Sequence, residues 1–409
     1  MPGSMMQPDL GQIGALQGTR AAAMARWQST GWPDHRAESW RFTRISAIDK
    51  MELRPADDAG PVSVLRPASL PANAVVLTFQ NGVVDIAGLD ALPAGVTASA
   101  LGANETALDD LAGLVPSSHP ISNLSLAAMT DGLCLDIVGH IAVPIILLFG
   151  GDGNAISTHP VVLVKLASGA AAVVGEWHQA AVGLSAPLVA IDMAADAALD
   201  YAKVQLDTQS TTHLAATGLR LGARARFDGF QLSVGGKLAR LETHVTLNGE
   251  DADCTLSAIY LGRNKQHHDI TSNMAHNKGH CHSSQIVRGV LDDSARGVFQ
   301  GKVYVAPDAQ KTDGNQMSRA LLLSRKAEAN TKPELEIYAD DVLCAHGATV
   351  GELDETQLFY LTSRGIRPET ARAMLIDAFL QDAIDGIGNV DLAAMLRPVV
   401  DQWMTAGGN

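Results

Sequence analysis

HHDITSNMAHNKGHCHSS, residues 267–284, decides between two readings of this chain. Wound as a helix, it would bring His276 and His280 onto one face, the spacing of a metal-binding pair. Asn277, Lys278 and Gly279 intervene, however, and such a run reads as a turn between two strands. In extended chain His280 and His282 share one face while Cys281 points to the other. The five histidines His267, His268, His276, His280 and His282 then read as half-exposed rungs of a strand ladder. A zinc shell, usually closed by four groups, is the weaker alternative.

The extended pattern spreads in both directions, from about residue 73 to 346. Short apolar runs such as AVVLTF (74–79), HPVVLVKLA (159–167), LSAIYLG (256–262) and KVYVAP (302–307) recur there, separated by Gly, Asn or Asp. That spacing predicts an all-β region without helical crossovers. A sandwich needs about half as many strands. A solenoid, in which each coil stacks on the last, takes the length naturally, although no strict repeat is visible.

The flanks read as helical. Residues 1–6 read as a flexible start, and 8–30 as an amphipathic helix carrying Ile13, Leu16, Met24 and Trp27, stopped by Gly31 and Pro33. GWPDHRAESWRFT (31–43) then turns into the next element. Beyond residue 352, Asp354 with Gln357 gives a capping-box-like start, Gly365 a stop, and Pro368 a first helical position. Ala371, Met374, Leu375, Ala378 and Phe379 follow as one apolar stripe. A last helix at about 391–405 carries Leu392, Met395, Leu396, Val399 and Trp403, with a kink expected at Pro398. The expected division is 1–72 N-terminal helical region, 73–350 β core and 351–409 C-terminal helical region.

Composition narrows the function. Of 409 residues 46% are apolar and 18% charged, and the net charge of −14 argues against nucleic acid or an anionic membrane as main partner. Cys134, Cys254, Cys281 and Cys344 lie far apart with no C-x-x-C, a reduced set rather than a disulfide framework. IAVPIILLFGG (141–151) is too short to span a bilayer and reads as buried strand. No basic segment followed by an apolar run opens the chain, so a cytoplasmic location is expected.

Self-sufficient catalytic machinery is not evident. Gly236-Lys237 is followed by Leu238 and lacks the upstream glycine of a P-loop. Gly150, Gly151 and Gly153 form no dinucleotide fingerprint, and no G-x-S-x-G occurs. Asp340 and Asp341 are adjacent and point to opposite faces of a strand, a poor match to the paired carboxylates of a carbohydrate-active β-helix enzyme.

The densest chemistry lies in YADDVLCAHGATVGELDE (338–355). Alternation turns Leu335, Ile337 and Leu343 toward the core, and Tyr338, Val342, Cys344 and His346 away from it. The Cys344 thiol and the His346 imidazole then point outward together. Two groups are too few for a closed metal site but suit one completed by another subunit. A neighbouring imidazolium would also favour the thiolate, the form that binds soft metals. The competing reading is a partly buried free cysteine beside a turn histidine.

One long block carries a resemblance. KPELEIYADDVLCAHGATVGELDETQLFYLTSRGI (332–366) resembles the C-terminal core of the SufB/SufD family of iron–sulfur cluster assembly proteins. LLLSRKAEANTKP (321–333), FQGKVYVAPDAQKTDGNQ (299–316) and HHDITSNMAHNKGHCHSSQIVRGVLDDSARGVF (267–299) extend the likeness to about 225–385, with a weaker echo at 31–43. Aligned outward from Thr331-Lys332-Pro333, Ala327 falls where SufB carries its persulfide-accepting cysteine in N-C-G-A-H. Cys344-Ala345-His346-Gly347-Ala348 falls on E-H-E-A, keeping the histidine and lacking the following glutamate. That pattern is similar to SufD. Departures are QMSRALLLS (316–324), where asparagines are commoner, and Leu343 in place of a basic or polar residue.

The resemblance implies a mainly β fold: a right-handed β-helix core flanked by N- and C-terminal helices. It implies a scaffold subunit that is not itself an ATPase. The core edges would pair with a SufB-like subunit. The C-terminal helices, with Met374, Leu375 and Phe379 as docking residues, would bind a SufC-like ABC ATPase. His346 and Cys344 would face the partner as shared metal ligands where a transient iron–sulfur cluster forms. Reduced flavin is implied for the complex with no residue assigned, and a homodimer is possible for the isolated chain. The alternative within the family is a purely structural subunit that contributes no ligands.

Overall fold

The computed structural model describes residues 16–406 apart from 35, 46–47, 57–61, 104 and 130–131. The expected flexible start and Ile13 lie outside the described residues.

The apolar runs form strands that fall alternately into two largely parallel sheets. The last strands of the first sheet are Thr212–Leu221, Leu238–Leu247, His267–His276, Arg296–Val305 and Glu328–Ile337. Those of the second are Arg226–Ser233, Asp253–Gly262, His282–Leu291, Asp313–Leu322 and Leu343–Gly351. Each strand pairs with the corresponding strand one coil away, so the chain winds as a β-solenoid. Ile145–Gly150, inside the run too short for a membrane span, is a buried strand of the second sheet.

A repeat does exist, in the backbone. Arg220 meets Asp192 across one coil at a separation of 28 residues, and Arg240 meets Asp269 at 29. It is invisible in sequence because an inward position accepts any side chain that fills its layer. The column Leu221, Leu247, His276, Val305, Ile337 is one such case. Phe227, Cys254, Ser283, Gly314, Cys344 is another. The corner between sheets is better conserved in shape than in residue type. Asp196, Arg224, Asp251, His280 and Lys311 all take positive φ there, between 55° and 62°. Asp and His adopt this region more readily than most residues.

The two sheet faces that turn outward are both covered. Over the first sheet lie α1 (Leu16–Thr30), α2 (Glu105–Ala112) and α3 (Pro120–Ala128). Leu16, Ala23, Leu108, Leu111 and Leu126 pack with Leu163, Ala190 and Ala216. Trp40, Ile45 and Ile48 cover Leu184 and Leu214 beside them. In α1 the buried positions are Leu16, Arg20 and Ala23, while Trp27 stacks edge-on against Trp32. Helices α2 and α3 interrupt a stretch expected to be all-β. At 8 and 9 residues they are too short to display a helical period.

Over the second sheet lie α5 (Pro368–Ile384) and α6 (Val390–Thr405), while α4 (Glu355–Ser363) buries no residue. Asp354 caps α4, accepting from the Thr356 and Gln357 amides, and Pro368 opens α5 as expected. Leu392, Met395, Leu396, Val399 and Trp403 pack on Ile259, Leu261 and Val290. The α5 face differs from the expected stripe. Ala371, Ile376, Leu380, Ala383 and Ile384 are buried, Leu375 and Phe379 lie at the border, and Met374 and Ala378 are exposed. The helix has apolar residues on more than one side, and the sheet selected a different one.

The two ends of the solenoid differ. At the first, Val83–Val84 and Val96–Ala100 add antiparallel strands that finish the sheets. At the other, Glu328–Ile337 and Leu343–Gly351 are the last strands, each paired on one side only.

Candidate partner interface at the open end

The last coil exposes backbone edges and apolar side chains together. Tyr338 is 61% exposed and Leu343 74%, with Ile337 and Val350 also in solvent, as are Phe359 and Tyr360 of α4. Unpaired strand edges next to an apolar surface form a template for another chain.

Cys344 and His346 both lie in this coil, on one face of Leu343–Gly351, but it is the inner face. Cys344 pairs in register with Gly314, and His346 with Gln316, and both partners are buried. The chain turns between Ile337 and Leu343, which resets the alternation. Leu343 therefore points to solvent, while Val342 and Cys344 pack against the interior. His346 is exposed because no coil follows to cover it. Asp340 and Asp341 sit in the turn, where Lys311 pairs with Asp341.

The thiol expectation is corrected too. Burial pushes the Cys344 thiol up; a Gly314 backbone hydrogen bond opposes the shift and Asp313 adds to it. The proton is retained in the isolated chain. Below His346, the Gln316 side-chain amide and the Ser318 hydroxyl are buried without a hydrogen-bonding partner among the described residues. Polar groups in this condition are uncommon and costly. Together they make a polar floor under an exposed imidazole.

The histidine-rich run is two strands and a turn: His268 and His276 are buried, His267 and His282 are partly exposed and His280 is exposed. His268 bonds Ser233 at 2.8 Å and His276 bonds Ser283 at 2.9 Å, and burial lowers their pKa values to about 3 and about 4. His267 contacts Thr43 at 3.0 Å. His280 occupies the left-handed corner, so it is not on a strand face with His282, which approaches Asp253 at 3.3 Å. Cys281 is buried, its thiol directed at the Gly249 carbonyl. Among the described residues these groups form no metal-ligating cluster; the one that does, His119, Glu242 and His244, had not been singled out.

The described residues form a parallel β-solenoid clad in helices on both outer faces, finished at one end and open at the other. Residues 149–379 match the SUF system FeS cluster assembly, SufBD core domain. The chain belongs to this family of iron–sulfur cluster assembly proteins. It is 31% identical to the iron–sulfur cluster assembly protein SufD of Escherichia coli, over 92% of this chain and 90% of that one. An iron–sulfur cluster assembly SufBD family protein of Synechocystis is 30% identical, over 90% and 86%. A chloroplastic protein of Arabidopsis thaliana is 34% identical over 52% of this chain and 45% of that one. No helix among the described residues is long and apolar enough to cross a membrane.

Proposed function

We propose that the chain is the SufD-type, non-ATPase subunit of a SufB–SufC–SufD scaffold on which an iron–sulfur cluster is assembled in the cytoplasm. In this reading the core (73–350) pairs edge to edge with a SufB-like subunit through its last coil. The C-terminal region (351–409) receives a SufC-like ABC ATPase, while α1 and Trp40 of the N-terminal region (1–72) brace the first sheet. The observation that carries it is the open last coil, with its one-sided edges, exposed Tyr338 and Leu343, and His346 above the unpartnered Gln316 amide.

His346 would offer a nitrogen ligand to the nascent cluster, the cargo of the complex. Cys344 would join only after losing its proton, which a bound metal or a partner's positive charge favours. Met374, exposed on α5, with Leu375 and Phe379 at its border, would meet the ATPase. Reduced flavin belongs to the complex in this reading, with no residue here assigned to it. The isolated chain would pair with itself through the same edges.

The test is co-expression with SufB-like and SufC-like partners, followed by complex size and anaerobic iron and sulfide content, for wild type and His346→Ala. A complex that assembles with little cluster supports a ligand role. A normal load in a well-assembled His346→Ala complex removes it and leaves the second reading, a purely architectural subunit. The half-buried, protonated Cys344 favours that second reading.

A further inference from the structure

A second cluster of chemistry lies on the opposite side of the first sheet from the solenoid interior. Arg240, Glu242 and His244 alternate along Leu238–Leu247, so all three point outward under the N-terminal helices. His119, the N-cap of α3, comes down on them from above. Its Nε2 lies 3.2 Å from Glu242 Oε2, and His244 Nε2 lies 3.2 Å from Glu242 Oε1. The imidazole centroids are 5.1 Å apart. His119 is 6% exposed and Glu242 5%. Both Nε2 atoms are buried, each at ion-pair distance from the carboxylate.

Arg240 is the permanently charged cation of the cluster. Arg240 is buried between two carboxylates, bonding Glu242 Oε2 at 2.8 and 2.9 Å and pairing with Asp269, with the Trp40 ring 4.1 Å away. Thr43 and Thr271 donate to Asp269. One guanidinium thus serves two buried carboxylates, and His119 and His244 are further groups within ion-pair distance of Glu242. Glu242 Oε1 is the carboxylate oxygen that Arg240 does not use, and it faces His244.

We propose that His119, Glu242 and His244 form a binding site for a divalent transition metal ion of the zinc, cobalt or iron(II) class, independent of the cluster-assembly surface. The donor set selects the class: two imidazoles and one carboxylate suit these ions, whereas magnesium and calcium require shells of oxygen. Distance fits as well. The two 3.2 Å separations run to different oxygens of the one carboxylate, and one ligand atom from each of the three residues lies within 4.8 Å of the others, close enough to converge on one ion. His119 Nδ1 accepts from the Ser122 amide at 3.1 Å as the helix cap and lies 2.7 Å from Ser122 Oγ; ligation through Nε2 requires Nδ1 to give up the cap and donate to Oγ instead. A fourth position stays open. His244 lines a cleft of about 450 Å³ with Leu114, Pro116, Asn273, Lys302 and Tyr304, from which water or a small anion reaches the ion.

The test uses the untagged full-length chain, stripped by a chelator and titrated anaerobically with Co²⁺ and Zn²⁺ alone. Wild type is expected to bind about one ion per chain with the intense visible absorption of four-coordinate cobalt. It is also expected to melt at higher temperature with metal than without. His244→Ala, at the cleft edge, should fold and lose roughly tenfold or more in affinity. His282→Ala, a half-exposed histidine elsewhere, should bind as wild type. His119→Gln serves if His244→Ala does not fold. Binding that is no tighter in wild type than in the site variant, or that falls equally in His282→Ala, overturns the proposal, as does a six-coordinate cobalt spectrum.

Discussion

His346 stacks on Gln316: the two are paired in register across the last two strands of the second sheet, and the Gln316 amide beneath is buried with no partner among the described residues. The pair links an exposed imidazole to an unsatisfied interior group. Gln316→Leu should therefore leave the isolated chain as stable as wild type or up to about 1 kcal/mol more stable, by removing a desolvated amide. The same substitution should lower the cluster load of the assembled complex. Urea unfolding and iron content together check this, and a large loss of stability would mean the amide is satisfied by water.

Leu343→Asp should not disturb the isolated chain, because the side chain is already in solvent; a change within about 0.5 kcal/mol is expected. It should block pairing with the SufB-like partner. Retained co-purification at wild-type yield would place the interface elsewhere.

Met374→Asp should separate the two docking surfaces. Stability stays within about 0.5 kcal/mol of wild type, since Met374 is outside the buried face of α5. The ATPase should be lost from the complex while the SufB-like subunit remains. Loss of both would point to a general failure of the C-terminal helices.

Tyr260 is held between two glycines. A Cβ on Gly289 would lie 2.1 Å from its ring, and one on Gly297 2.4 Å. Tyr260 is fully buried, so it has no free space to enter. Gly289→Ala should destabilise by about 1–3 kcal/mol, the usual cost of overpacking. Thermal melts read this directly.

Acid should weaken the fold before the carboxylates titrate. Burial lowers His159 to about 4, His268 to about 3 and His276 to about 4, against about 6.5 in the unfolded chain. Between those values the unfolded chain binds more protons, so stability rises with pH. It is fully present above about pH 6.5 and is lost as pH falls toward 4, by up to ~1.4 kcal/mol per pH unit for each histidine. His276→Gln should flatten the slope by about one proton. Equal urea midpoints at pH 7 and pH 4.5 would contradict the burial of these groups in solution.

The solenoid was legible because Gly, Asn and Asp separate short apolar runs over a stretch too long for a sandwich, and the α6 stripe from Leu392 to Trp403 because one helix face does all its packing. The facing of Cys344 was not legible. Alternation counts correctly only within a strand, and the turn after Ile337 changed the phase. His280 was misplaced for a related reason: its left-handed φ makes it a corner, and φ has no composition signal when Asp, Arg and Lys occupy equivalent corners. The His119 cluster had half a signal. Arg240, Glu242 and His244 share a strand face at alternate positions, but nothing in the chain announces that α3 returns His119 to them.

The open last coil also sets a gradient along the molecule. In a stacked array each layer is stabilised by its neighbours, and a terminal layer has only one. Amide exchange should accordingly be slowest midway along the axis and fastest in Glu328–Ile337 and Leu343–Gly351. A docked partner would act as the missing next layer, ordering His346 by closing the zipper at its final tooth. The cost of ordering that tooth would be deferred to the moment of assembly, so a chain without its partner would hold its ligands loosely.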